Sequence, residues 1–165
     1  MAAHKLPIIT GTSLTTGDLL RWDGSNWVNY PDSNFSGGGP GQSAQAVGTD
    51  NADNQTGDWA DVADMSITIT TTGGNVLLMF SCAITAAASG DDAQLRFDID
   101  GSPAGGSAKY NIGTIPSSMA FQWLATSLSA GSHTFKVQWI DIAGTVSHVG
   151  TAYGPRVLTA IEVPD

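Results

Sequence analysis

From about residue 60 onward, apolar side chains recur at every second position, and no stretch of the chain holds them at helical spacing for three turns. A period of two is the repeat of a strand with one face buried, so this pattern dictates β-structure. Residues 61–71 carry Val62, Met65, Ile67 and Ile69. After the turn signal Gly73-Gly74, residues 76–86 are apolar at nearly every position, the pattern of a strand covered on both faces. Residues 93–100 set Leu95, Phe97 and Ile99 inward against Gln94, Arg96 and Asp98 outward, and end in the turn Asp100-Gly101. Residues 118–126 with Phe121 and Trp123, residues 133–140 with Phe135, Val137 and Trp139, and residues 156–163 complete the set. About eight short strands with glycine-rich corners predict an all-β, antiparallel sandwich or jelly roll, not a parallel sheet.

A chain of 165 residues supports one such core plus a short appendage. Glu162 is the only glutamate, and Lys5, Lys109 and Lys136 are the only lysines, which disfavours long surface helices. The formal charge of −9 falls almost entirely after residue 30, because Lys5 and Arg21 balance Asp18 and Asp23 before it. A negative body repels phosphate backbones and anionic headgroups, so neither nucleic acid nor membrane is an expected partner. Residues 1–10 lack the basic start and apolar run of a signal peptide, and a chain made in the cytoplasm is expected. Cys82, inside the apolar run, reads as a small buried hydrophobe.

Chemistry-bearing patterns are weak. His4, His133 and His148 stand at no ligand spacing, and His133, opening a strand after a turn, reads as a side chain hydrogen-bonded to backbone. The oxygen-rich stretch 50–58 lacks the central glycine and terminal glutamate of an EF-hand loop. Gly-x-Ser-x-Gly is absent, and the run Gly37 to Gly41 is not followed by the Lys-Ser/Thr of a phosphate loop. No catalytic residue, metal or cofactor is expected, and the chain reads as a non-enzyme.

The first strand signal lies outside the alternating region. Residues 18–22 and 25–30 flank Asp23-Gly24, a dipeptide suited to positive φ, and read as a β-hairpin. Two registers fit: a two-residue loop opposes Leu20 to Trp27, and a four-residue loop opposes Trp22 to Trp27. Either way period two groups Leu20, Trp22 and Trp27 on one face. The expected organisation is an N-terminal arm and hairpin over 1–36, a glycine-rich linker and polar loop over 37–58, and a sandwich over 59–165.

Two segments resemble known virion proteins. The run Gly17-Asp-Leu-Leu-Arg-Trp-Asp-Gly-Ser-Asn-Trp-Val-Asn-Tyr30 is similar to a hairpin common near the start of bacteriophage tail-fibre and head-fibre proteins. Residues 128–139 and 154–162, with Leu95 to Gly101, resemble strands of the TNF/C1q-like jelly rolls of phage particles. The resemblance implies a phage virion structural protein, a homotrimer packed about a threefold axis. It would lie on the outer capsid surface with the major capsid protein or another virion protein as partner. Because 165 residues leave room for an attachment segment and one sandwich only, a capsid decoration (cement) protein is favoured over a receptor- or glycan-binding fibre. Leu20, Trp22, Trp27 and Tyr30 are then the candidate capsid or intersubunit contacts. Phe121, Trp123, Phe135 and Trp139 are candidates for the trimer seam or the core.

Overall fold

The computed structural model describes residues 41–54, 58–86, 91–143, 146–148 and 153–163, together with the backbone of strands at 19–22 and 27–30. The chain divides into two compact units, Met1–Gly39 and Pro40–Asp165.

The first unit contains β1 (Leu19–Trp22) and β2 (Trp27–Tyr30), paired antiparallel. The register sets Trp22 opposite Trp27 and Leu19 opposite Tyr30, which decides for the four-residue loop.

The second unit is an antiparallel jelly-roll-like sandwich. Its strands in chain order are β3 (Ser43–Gly48), β4 (Ala52–Asn54), β5 (Ala60–Thr71), β6 (Gly74–Ala86), β7 (Asp91–Ile99), β8 (Ser102–Pro103), β9 (Ala108–Ile112), β10 (Ser117–Leu128), β11 (Gly131–Ala143), β12 (Val146–His148) and β13 (Arg156–Val163). One sheet runs β3-β13-β6-β12-β4, with β10 also paired to β6. The other runs β5-β11-β7-β8, with β9 also paired to β7. Strand alternation turns Leu78, Phe80 and Leu158 of the first sheet toward Phe97, Phe135 and Val137 of the second, and all six are buried in one core. Each such side chain contributes about 1.5–3 kcal/mol by leaving water. Phe121 joins the layers, its ring centroid 4.5 Å from that of Phe97 and 5.7 Å from that of Phe80.

The structure departs from the sequence reading at three places. Residues 43–48 and 52–54, expected within a linker and polar loop, are strands: Ala44 and Ala46 lend β3 a half-buried face too weak to stand out as a period-two signal, and pairing with β13 supplies its hydrogen bonds. Asp98 faces outward as expected, level with Lys136, but is covered there and only 3% exposed. Its register partners Lys136 and Pro103 flank it on both sides, and its Oδ1 accepts the Gly101 N–H at 3.0 Å. Strand β6, expected to be covered on both faces, is buried at its inward positions, whereas outward Leu77 and Met79 are half-buried and Ser81 is exposed. The Asp100-Gly101 turn forms as expected, with φ of 54° and 82°, the left-handed pair that a two-residue hairpin loop requires.

Both ends of β13 are anchored by a charged side chain. Arg156, 0% exposed, donates through Nε to the Ala63 carbonyl at 2.8 Å, through Nη2 to Asp64 Oδ2 at 2.8 Å, and through Nη1 to the Asp50 carbonyl. Asp64 sits in a bulge of β5, where the register jumps from Ser66 to Asp61 against Lys136 and Gln138, and has φ of 62°. At the other end Glu162 accepts the Thr72 N–H and hydroxyl, each at 2.7 Å, and the Gln42 N–H at 3.1 Å.

Candidate interaction surface

Register across β3, β13, β6 and β10 lays outward residues of these four strands in three cross-strand rows. Val47, Val157, Ser81 and Ala120 form the first; Gln45, Thr159, Met79 and Gln122 the second; Ser43, Ile161, Leu77 and Leu124 the third. All twelve are half-buried or exposed, and none is ionisable. Val47 is 51% and Leu124 44% exposed, high for large apolar side chains. The small side chains of Ser81 and Ala120 leave a shallow trough of about 570 Å³ between Met79, Gln122, Val157 and Thr159.

The outward face of the other sheet is the opposite in character. Lys136 Nζ lies 2.7 Å from Asp61 Oδ2, Gln138 Nε2 donates to Asp61 Oδ1 at 2.9 Å, and Arg96 Nε donates to Gln138 Oε1 at 2.9 Å. The Arg96 guanidinium also stacks over the Trp59 ring at 4.0 Å. Lys136 holds the Asp61 carboxyl below the usual range, because its ammonium donates to the charged form. The two faces of the sandwich therefore differ by charge: one is laced with ions, whereas the β3-β13-β6-β10 part of the other carries none, its nearest outward carboxylate being Asp53 on β4 beyond β12.

The residues singled out in the sequence scatter across this frame. Phe135 is fully buried and Trp139 is 3% exposed, both in the core. Phe121 is half-buried in the aromatic cluster, and Trp123 is 40% exposed with its indole lying over Gly105 and Gly106. Leu20, Trp22, Trp27 and Tyr30 have the backbone register given above, and their side chains lie outside the described residues. Val47, Val157, Thr159 and Ile161 were not among the candidates. Their signal was legible only as Val157, Thr159 and Ile161 alternating with Leu158 and Ala160 in a strand apolar on both faces.

His133 sits in a polar cluster at the start of β11. Its Nδ1 is 2.7 Å from Asp100 Oδ2 and its Nε2 is 2.9 Å from the Ser129 carbonyl, the backbone contact expected from sequence with a carboxylate added. Among the described residues no group of three or more His, Cys, Asp or Glu side chains is placed to hold a metal ion.

No protein-family model and no curated protein matches this chain. Among solved structures it is similar to "Structure of infectious bursal disease virus Gt strain", at 10% identity and a TM-score of 0.43, over 89% of this chain and 42% of the other. It is also similar to "Structure of infectious bursal disease virus Gx strain", at 13% identity and a TM-score of 0.40, over 87% of this chain and 40% of the other. The chain thus spans about two fifths of the length of these structures.

Proposed function

We propose that this chain is a virion structural protein without catalytic activity, a capsid decoration (cement) protein of bacteriophage type that binds the assembled shell as a homotrimer. The observation that carries the reading is the ion-free outer surface of β3, β13, β6 and β10 on a chain of net charge −9. Copies of so acidic a protein repel one another, and the repulsion is least where neither surface carries an ion. Val47, Leu77, Met79, Leu124 and Ile161 would lose contact with water in that association, which supports a seam on this face; Phe135 and Trp139 are buried in the core.

Attachment is assigned to the hairpin of the first unit, with Leu20, Trp22, Trp27 and Tyr30 as contacts to the major capsid protein, another virion protein or a neighbouring subunit. A lone two-stranded hairpin is marginal in water. Burying one indole is worth on the order of 4–6 kcal/mol as an upper bound, so a covering surface is strongly favoured. A ligand that binds only the assembled shell stabilises that shell by mass action, with no chemistry needed. The acidic body would face outward on the particle, after synthesis in the host cytoplasm.

Sedimentation of the purified chain, with and without shells, tests this. A trimer is expected at micromolar concentration, and a Trp22→Ala, Trp27→Ala double variant is expected to remain trimeric while losing the shell. A stable monomer, or decoration unchanged in the double variant, overturns the reading. The exposed Trp123 favours a second reading, a glycan-binding short fibre, because an accessible indole can stack on a sugar ring. Glycan-array binding abolished by Trp123→Ala would establish it.

A further inference from the structure

We infer that His133 is a proton-dependent clamp: as an imidazolium it ties the β7–β8 turn to the β10–β11 corner, at the end of the sandwich where the chain enters β3. The inference is independent of the function proposed above.

His133 Nδ1 faces a carboxylate oxygen of Asp100 and Nε2 faces the carbonyl of Ser129, and neither of these groups can donate. A neutral imidazole has one N–H, so it would set a lone pair against one of the two oxygens. Only the cation satisfies both.

The ring is buried, and each of its partners is held by further bonds. Asp100 Oδ1 accepts the Thr134 N–H at 2.7 Å, and the Asp100 N–H donates to the Thr134 carbonyl at 2.9 Å. The Ser129 carbonyl also accepts the Thr71 hydroxyl at 3.0 Å. One imidazolium therefore joins the turn, the corner and the last residue of β5. The neighbouring residue, Thr72, belongs to the Glu162 and Gln42 latch at the root of β3.

Asp100 is the ionisable side chain bonded to the ring. On β7, Asp98 directs Oδ1 at the Gly101 N–H. On β11, Lys136 pairs with Asp61 of β5, and on β13, Glu162 is engaged by Thr72 and Gln42. Register places Ile69 of β5 opposite the ring, which adds no charge.

The hydrogen bond to Asp100, then that to Ser129, raises the His133 pKa above its ordinary 6.5 against the opposing effect of burial. The clamp's contribution from His133 is thus complete below about 6.5 and is lost as pH rises through the raised value. Asp100, held below its ordinary 3.8 chiefly by the Thr134 N–H and then by His133, loses its contribution only as pH falls through that depressed value.

The test is imidazole NMR on the full chain from about pH 5 to 9, with amide hydrogen exchange at 100–104 and 128–134 corrected for intrinsic rates. His133 is expected to titrate above 6.5, with both nitrogens protonated below its midpoint and corner exchange rising about tenfold across it. Asp100→Asn is expected to lower the midpoint by about one unit or more. A wild-type midpoint at or below 6.5, or corner exchange that stays flat through the titration, overturns the clamp whether or not the variant folds.

Discussion

The guanidinium of Arg156 fills the space that a side chain on Gly48 would need: a Cβ at position 48 would lie 2.5 Å from Nε and 2.6 Å from Cζ. Arg156 cannot retreat, because the Ala63 and Asp50 carbonyls and Asp64 hold it from three directions. Gly48→Ala is therefore expected to destabilise the sandwich by about 1–3 kcal/mol through overpacking. Arg156→Met should cost about 1.5–3 kcal/mol, because the Ala63 and Asp50 carbonyls and Asp64 lose their charged donor. Urea unfolding followed by circular dichroism measures both, and a neutral Gly48→Ala would show that the guanidinium is free to move.

The two tryptophans of the long strands should behave differently. Trp139 is enclosed by the core, so Trp139→Ala is expected to cost about 3–5 kcal/mol. Trp123 rests on Gly105 and Gly106 at the rim and keeps much of its surface in water, so its replacement should cost about 1–2 kcal/mol. Equal losses in thermal unfolding would contradict these placements.

Charge introduced on the ion-free face should separate subunits and spare the fold. Gln122→Glu with Thr159→Glu puts two carboxylates in the row centred on Met79. Like charges buried at an interface cost several kcal/mol. The double variant is expected to sediment as a monomer with an unchanged β spectrum; a variant that sediments as the parent does would remove this face from the interface.

Acid should loosen the root of β3 before the core. The Thr72 hydroxyl, then the Gln42 N–H, hold the Glu162 carboxyl below its ordinary 4.5. A depressed carboxylate contributes stability that is present above 4.5 and is lost as pH falls through the lowered value. Glu162→Gln is expected to flatten that part of the acid limb in a series of urea midpoints, and an identical acid limb would exclude Glu162 from it.

Cys82 should be inert in the folded protein. Burial pushes its thiol up to about 12, so almost no thiolate exists near neutrality. Thiol reagents are expected to label it only in denaturant. Labelling of the native chain at the rate of a free thiol would require an opening of β6.

The long strands were legible because each buries one face, and a buried face writes itself into the sequence as period two. Leu95 and Phe97 of β7 lie inward where the alternation put them, and Phe135, Val137 and Trp139 of β11, left between core and seam by the sequence, share that core. The Asp100-Gly101 turn was legible for a local reason as well, since two consecutive positive φ angles narrow the residues that fit.

What the alternation could not carry was the partner of each strand and the fate of polar groups. β3 is a strand because β13 offers it an edge, and Asp98 is buried because Lys136 and Pro103 flank it; both are facts of pairing between distant segments. The ion-free face has the same origin. Val47, Thr159, Met79 and Gln122 are unremarkable in the sequence, and only lateral register gathers them beside one another with no charged side chain in their rows. Local chemistry thus determined which residues form strands, whereas the hydrogen-bonded order of those strands decided which surface this acidic chain leaves without charge, because that order is set by contacts between residues up to 120 positions apart.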